Sequence, residues 1–242
     1  MPVHAKLSAS GSYRWIHCPG SISAEEGYPD IVSSYAKEGI LAHSVAEICL
    51  LNSENPFNYV NSKNIDFSIT VNMAKFIQKY IDYIQKFRDL ESRILVEKVV
   101  SYSRFVPEGF GTVDCVLLNS DVIHIFDFKY GRSWVNFKHN TQLQLYALGL
   151  YQEYSKKYSC NFFYLHIVQP RISNTGYSIY TKEQILHFGE WVTEKAKNAL
   201  QINAPRIPGD KTCQWCKAKK DCPEFLSFQK SKDYENPWDF FL

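Results

Sequence analysis

Apolar residues recur along the chain with two different periods, which separate helical from extended segments. Steps of three and four residues are typical of an amphipathic helix, and runs of β-branched and aromatic residues are typical of strands. The predicted helices cover residues 33–51, 70–90, 141–156 and 181–201, and the predicted strands cover residues 93–101, 111–118, 122–129 and 161–169, with a short strand after a loop at 170–176.

The order of these elements, α-α-β-β-β-α-β-β-α, predicts an α/β fold in which helices flank a mixed β-sheet. Turn residues at 119–121 predict that the second and third strands form an antiparallel hairpin. Thr181 and Gln184 have the spacing of a capping box and predict the start of the last helix. We expect a single domain over residues 1–242, with a core of about 33–201.

Composition limits the classes of function that the chain can have. A chain of 242 residues, of which 45% are apolar, can bury one sizeable core. Its 27 basic and 25 acidic residues nearly balance, so any surface that binds nucleic acid must be local. No stretch approaches the roughly 20 apolar residues of a membrane helix, and the first residues lack the apolar run of a secretory signal. We therefore expect a cytoplasmic protein with no membrane partner.

Two aspartates and a lysine lie at the ends of neighbouring predicted strands. Asp114 follows Gly111 in a G-x-x-D pattern, and Asp127 and Lys129 form D-x-K on the next strand, where they point to the same side. Burying such charges is costly unless they are paired or bind a cation. Mg²⁺ or Mn²⁺ prefers carboxylate ligands and activates water, and a lysine can orient that water and stabilise developing charge. A structural ion pair is the alternative that D-x-K alone leaves open.

Three cysteines lie close together near the C-terminal end: Cys213, Cys216 and Cys222. In a reducing compartment such a group predicts a metal site rather than disulfides. Of the four other cysteines, Cys18 lies in an irregular polar segment, whereas the rest lie in apolar segments, where cysteine serves as a small hydrophobe. The predicted site of four thiolates suits zinc as well as an iron-sulfur cluster.

The catalytic pattern resembles the RecB-like branch of the PD-(D/E)XK nucleases, whose fold is restriction-endonuclease-like. The resemblance rests on G-x-x-D, a hairpin, D-x-K and then a helix with Gln142 and Tyr146 in Q-x-x-x-Y spacing. It implies that His43, on an earlier helix, binds the metal. Glu47, one turn further along that helix, is expected either to accept a proton from the His43 ring or to be a solvated carboxylate. The implied metal ligands are His43, Asp114 and Asp127, and the implied catalytic residues are Asp114, Asp127, Lys129, Gln142 and Tyr146.

One cysteine near the start and three near the end is similar to the iron-sulfur members of this branch, which include CRISPR-associated adaptation nucleases and the AddB helicase-nuclease subunit. The resemblance implies a [4Fe-4S] cluster on Cys18 and on the three cysteines within residues 205–225, which joins the two chain ends. Residues 7–21 and 35–43 also resemble phage- and prophage-encoded proteins of the same clan. No G-x-x-x-x-G-K-[ST] loop occurs, so we expect a nuclease without a helicase.

The resemblance implies a metal-dependent deoxyribonuclease, an exonuclease on single-stranded or end-bearing DNA in phage replication or recombination. Arg132, Trp134 and Lys217 are the expected DNA contacts, because basic and aromatic side chains together suit an unpaired strand. The tail, residues 227–242, is expected to pack on its own domain or to bind a replication or recombination partner. The alternatives are a non-catalytic DNA-binding or assembly module of this fold and an accessory factor held by zinc.

Overall fold

A five-stranded mixed sheet forms the centre of the computed structural model, which describes residues 5–30, 33–61 and 69–234. The strands lie in sequence order, and every neighbouring pair is antiparallel except β3 and β4, which are parallel. This confirms the predicted mixed sheet and the predicted hairpin. The strands are β1 (Arg93–Ser101), β2 (Phe110–Leu118), β3 (Val122–Phe128), β4 (Phe162–Gln169) and β5 (Asn174–Thr181).

Helices cover both faces of the sheet, as the sequence predicted. Short 3-10 turns at Pro56–Tyr59 and Pro170–Ile172 accompany them. Within the described residues the α-helices are α1 (Ser12–His17), α2 (Ser21–Glu25), α3 (Ser34–Asn52), α4 (Val71–Gln85), α5 (Thr141–Tyr154), α6 (Lys182–Ala199), α7 (Asp210–Cys213) and α8 (Pro223–Tyr234).

Two apolar cores lie on the opposite faces of the sheet, because side chains alternate along each strand. On one face, Ile125 of β3 is buried in the same core as residues of α5 and α6. On the other face, Phe126 and Phe128 are buried together with residues of α3 and α4. Asp127 lies between these two phenylalanines in sequence, so it points toward the side of the sheet that α5 covers.

The predicted element boundaries differ from the structure at two places. Helix α4 ends at Gln85 rather than at residue 90, because Asp89 and Ser92 form a polar turn in which Ser92 Oγ donates to Asp89 Oδ1. Strand β5 begins at Asn174, inside the predicted loop 170–176, because Ser173 adopts a left-handed conformation (φ 54°) that reverses the chain within one residue. The capping box that begins α6 is confirmed.

The two ends of the described chain meet beside α6. Gly20 N donates to Pro205 O, and a Cβ at Gly20 would lie 2.5 Å from Ala204 O, so the contact requires a glycine. Helices α7 and α8 were not predicted, because α7 is a single turn and hydrophobic periodicity is weak there. The acidic-aromatic end of the tail, residues 235–242, lies outside the described residues. Among the described helices, none has the length and apolar character needed to cross a membrane.

Candidate metal centre

Strands β2 and β3 separate at the two predicted aspartates. Their pairing runs from Leu118↔Ile123 to Cys115↔Phe126 and ends there, with Asp114 and Asp127 as the next residues. Asp114 Oδ2 then accepts a hydrogen bond of 2.7 Å from the backbone N–H of Phe128, so a carboxylate replaces a backbone carbonyl. Both carboxylates therefore lie where the sheet opens.

Close packing explains why the G-x-x-D pattern has a glycine at position 111. A Cβ at Gly111 would lie 2.9 Å from Cε1 of Tyr146, closer than side chains tolerate. The absence of a side chain on β2 lets the Tyr146 ring pack directly against the strand. This contact places the Q-x-x-x-Y helix, α5, against the strand that carries Asp114.

Four of the predicted catalytic residues form one network. Lys129 Nζ lies 2.8 Å from Asp127 Oδ2 and donates to Gln142 Oε1 at 3.1 Å. Gln142 Nε2 in turn lies 3.0 Å from Asp127 Oδ1 and 3.2 Å from the hydroxyl of Tyr146. Lys129 Nζ also donates to Asp127 Oδ1 at 3.1 Å, so the lysine contacts both oxygens of this buried carboxylate.

A second group of donor atoms lies beside this network. His43 Nδ1 is 3.3 Å from Asp114 Oδ1. Donor atoms of His43, Glu97 and Asp114 all lie within 4.8 Å of one another, which is close enough for one metal ion to contact all three. The imidazole makes Mn²⁺ a better match than Mg²⁺, which takes oxygen ligands almost exclusively. The structure thus brings the predicted ligands His43 and Asp114 together.

Glu97 was not predicted from the sequence. It lies on β1 opposite Asp114, between the pairs Val96↔Cys115 and Lys98↔Val113. Its φ of 47° is left-handed, which is uncommon for a residue with a side chain. The available signal was that Glu97 is the one acidic residue of β1.

The electrostatics of the centre depend on burial and on close charges. Burial and then repulsion from Asp114 raise the pKa of Glu97 to about 7. Burial also raises the pKa of Asp127, and its ion pair with Lys129 does not offset this. For three other residues, close charges outweigh the effect of burial on the pKa. His43 and Lys129 lower the pKa of Asp114. Asp114 raises the pKa of His43, and Asp127 raises the pKa of Lys129. A divalent cation would relieve the repulsion among the three carboxylates.

Two alternatives were predicted for Glu47, a contact with the His43 ring or a solvated position on the helix. The partner of His43 Nδ1 in the structure is Asp114. The charge of Glu47 instead contributes to the raised pKa of Glu97. Glu47 therefore adds to the negative potential of the centre.

The four predicted cluster cysteines line one cavity between the chain ends: Cys18, Cys213, Cys216 and Cys222. Cys18 Sγ accepts a hydrogen bond of 3.2 Å from the backbone N–H of Ile207. Among the described residues, no three of these sulfur atoms lie within 4.8 Å of one another, whereas tetrahedral zinc with Zn–S bonds of about 2.3 Å needs sulfurs about 3.8 Å apart. The other three cysteines, Cys49, Cys115 and Cys160, are buried in the apolar cores.

The predicted DNA contacts lie in different surroundings. Trp134 is 68% exposed and lines a cavity together with Lys129 and Gln142. Arg132 is exposed on the same loop. Lys217 directly follows Cys216, which lines the cysteine cavity, and its Nζ lies 2.6 Å from Asp30 Oδ1. Of the three predicted DNA contacts, only Trp134 lines the same cavity as Lys129 and Gln142 in the described part of the chain.

Comparison with known proteins finds similar solved structures and a matching family. A crystal structure of SSO0001 has 12% sequence identity to this chain and a TM-score of 0.41, and the match covers 90% of this chain and 86% of that one. Residues 4–236 match the family described as "Protein of unknown function (DUF2800)". This match spans nearly the whole sequence, and the chain therefore belongs to the DUF2800 family.

Proposed function

We propose that this protein is a deoxyribonuclease of the PD-(D/E)XK type, which uses Mn²⁺ or Mg²⁺ to hydrolyse phosphodiester bonds. The observation that carries the proposal is the network of Asp127, Lys129 and Gln142 beside Asp114, at the point where β2 and β3 separate. Beside this network, donor atoms of His43, Glu97 and Asp114 lie within 4.8 Å of one another, an arrangement that an ion pair between Asp127 and Lys129 alone would not require.

Each residue has a role that follows from its contacts. His43, Glu97 and Asp114, whose donor atoms lie within 4.8 Å of one another, would hold the cation. Asp127, which the resemblance also implies as a ligand, lies outside that group and pairs with Lys129. A bound cation would lower the pKa of water and offset charge on the phosphate. Lys129 has a raised pKa and stays protonated, so it stabilises negative charge in the transition state rather than removing a proton. Gln142 fixes the Lys129 ammonium group against Asp127.

Tyr146 supports this arrangement through its contact with Gln142. Burial raises its pKa well above the usual value for tyrosine, so its hydroxyl stays neutral. That hydroxyl accepts a hydrogen bond from the side-chain amide of Gln142. Tyr146 thereby sets the orientation of the amide that holds both Lys129 and Asp127.

A cleavage assay tests this proposal. Purified protein is incubated with end-labelled single-stranded and duplex DNA in Mn²⁺, and the products are separated by length. Asp127→Ala and Lys129→Ala should each reduce cleavage by about a thousandfold or more, because the residues of a catalytic unit fail together. Asp82→Ala, which removes an exposed carboxylate on α4, is the matched control and should cleave like the wild type. Shortening from one end only would show an exonuclease.

Two results would contradict the proposal. Cleavage that is unchanged in Asp127→Ala and Lys129→Ala would place the activity elsewhere or in a contaminant. Wild-type protein that binds DNA but never cleaves it, with either metal, would favour the non-catalytic module of the same fold.

We also propose that Cys18, Cys213, Cys216 and Cys222 hold a [4Fe-4S] cluster that ties the chain ends together. The four residues line one cavity between the chain ends, and the spacing of one cysteine near the start and three near the end is similar to that of the iron-sulfur nucleases. Each of four thiolates would bind a different iron of the cluster. Protein purified without oxygen should contain iron and sulfide and absorb visible light, and Cys18→Ala should lose all three. Stoichiometric zinc without iron would show the zinc-stapled alternative instead.

A further inference from the structure

A cavity of about 300 Å³ opens directly beside the metal centre. Lys129 and Gln142 line it at the end nearest the metal centre, and Trp134 and Trp215 line it elsewhere; we call it the tryptophan cavity. Both tryptophans are 68% exposed, although tryptophan is a residue that folding normally buries. Two exposed indole rings on one concave surface indicate a binding surface rather than part of the core.

Trp134 lies on a loop whose backbone is held by two buried amide side chains. Gln169 is fully buried, and its Nε2 donates to the carbonyls of Gly131 and Ser133, both at 2.8 Å. Asn174 is 3% exposed, and its Nδ2 donates to Val135 O at 2.8 Å. These bonds hold the backbone on both sides of Trp134.

The following part of this loop is held by packing. A Cβ at Gly176 would lie 2.7 Å from the ring of Phe137, so the ring packs directly on the backbone of β5. Ser178 Oγ donates to Phe137 O at 3.2 Å. The loop is thus rigid although its tryptophan is exposed, and a ligand that stacks on Trp134 would not have to order it.

Trp215 belongs to a wall that is built from both chain ends. It lies between Cys213 and Cys216, and its carbonyl oxygen accepts a hydrogen bond from Arg14 Nη1 at 3.3 Å. In the same wall, Lys211 Nζ lies 3.9 Å from the centre of the Tyr13 ring. Cys213, Cys216 and Arg14 also line the cysteine cavity, so the position of Trp215 depends on the structure of that cavity.

The charge of this surface differs from that of the whole chain. The chain has 27 basic and 25 acidic residues, yet no aspartate or glutamate is among the described residues that line the tryptophan cavity. Lys138 and Lys211 are exposed there, and Lys129 lies at its inner end. Cations with exposed aromatic rings suit a ligand that has both phosphates and flat bases.

We propose that the tryptophan cavity binds an unpaired DNA strand, with bases stacked on Trp134 and Trp215 and phosphates neutralised by Lys138 and Lys211. A duplex buries the faces of its bases in its own stack, so only an unpaired strand can use both rings. The cavity ends at Lys129, and it would lead the strand to the metal centre. This last step, though not the binding itself, rests on the proposed nuclease function.

Binding without cleavage tests the inference. A fluorescently labelled oligothymidylate and a blunt duplex of equal length are titrated with full-length protein in EDTA, and anisotropy reports binding. Trp134→Ala and Trp215→Ala should each weaken single-strand binding by about tenfold, the size expected for loss of one base stack. Trp134→Phe and Trp215→Phe keep a flat ring and should restore most of the affinity.

The matched control is Trp191→Ala. This tryptophan is also exposed, but it lies on α6 against Phe188, away from the cavity, and its loss should leave binding unchanged. Visible absorbance checks that the Trp215 variants keep the cysteine site intact. Wild-type binding by both alanine variants, or duplex binding as tight as single-strand binding, would overturn the inference.

The two proposals fail in different ways. Cleavage that proceeds in Mn²⁺ with no dependence on either tryptophan would leave the nuclease proposal intact and remove the strand-binding cavity. Tryptophan-dependent binding of the single strand without cleavage in any metal would do the reverse.

Discussion

Two clusters of buried titratable side chains lie on the same sheet, and they are accommodated in opposite ways. At the opening of β2 and β3, the metal centre keeps several charges close together. Further along the sheet, His124 of β3 and His166 of β4, which we call the histidine pair, are both uncharged. The groups of the metal centre are His43, Glu97, Asp114, Asp127 and Lys129.

The histidine pair is satisfied within the protein. His124 Nδ1 lies 3.1 Å from His166 Nε2, and the Tyr83 hydroxyl lies 3.2 Å from His166 Nδ1. The ring of His166 stacks on Phe126 with 4.3 Å between centroids. Burial lowers the pKa of His124 to about 4 and lowers that of His166 further, so both are neutral at physiological pH. Nothing in this cluster calls for a ligand.

The metal centre is not satisfied in this way. Burial raises the pKa of Asp127, Glu97 has a left-handed backbone, and burial with repulsion from Asp114 raises the pKa of Glu97 to about 7. Each of these features costs free energy in a protein without a ligand. The contrast supports the proposal that the metal centre holds a cation, whereas the histidine pair is packed without a ligand.

The largest expected effect on stability is acid destabilisation through the histidine pair. Unfolded histidines bind protons below about pH 6.5, but these two cannot do so until their lower folded pKa values are reached. Stability should therefore fall as the pH falls from about 6.5. At about pH 5 each histidine would cost about 2 kcal/mol, or about 4 kcal/mol together. Urea unfolding at about pH 7 and pH 5 measures this loss.

The double variant His124→Phe, His166→Phe is the control for this effect. It keeps two aromatic rings and removes both titrating groups, so most of the difference in unfolding free energy between the two pH values should disappear. The same pH dependence in wild type and double variant would show that other groups cause it.

The sequence predicted the elements and the grouping of Asp127, Lys129, Gln142 and Tyr146 because both depend on short-range patterns. The stripe of α4 is buried as its periodicity indicated, and the D-x-K alternation places Asp127 and Lys129 in contact. Gln142 and Tyr146 lie one helical turn apart, so their joint contact with the centre follows from spacing alone.

Glu97 and the histidine pair could not be predicted in the same way. The position of Glu97 beside Asp114 depends on the register of β1 against β2, which lies in long-range pairing rather than in a local pattern. His124 and His166 meet because β3 and β4 pair in parallel, although helix α5 separates the two strands in sequence. Their surroundings, and so their pKa values, arise only after the sheet has formed.

The second expected effect is stabilisation by Mn²⁺, which should act at the metal centre alone. A ligand that binds only the folded state stabilises it by about 2.7 kcal/mol at a hundred times its dissociation constant. Thermal unfolding in EDTA and in Mn²⁺ measures this gain. Asp114→Asn should lose most of it, and the double histidine variant should keep it.

An equal gain in Asp114→Asn would mean that Mn²⁺ binds elsewhere, for example at exposed carboxylates. Ca²⁺ provides a further comparison, because it prefers oxygen ligands and gains less from His43 than Mn²⁺ does. A Ca²⁺ effect as large as that of Mn²⁺ would argue against His43 as a ligand.

The smallest expected effect comes from Glu97, and its pH dependence has the opposite sign to that of the histidine pair. The pKa of Glu97 is raised in the folded state, so its charge lowers stability as the pH rises through about 4.5 to 7. Glu97→Gln should therefore stabilise the metal-free protein by about 1–2 kcal/mol at about pH 8, after allowance for partial exposure, and by almost nothing at about pH 4. The same variant should weaken Mn²⁺ stabilisation, because it removes one anionic ligand. A Glu97→Gln protein that is less stable without metal and binds Mn²⁺ normally would show that Glu97 is a packing residue, and the contrast with the histidine pair would then rest on Asp114 and Asp127 alone.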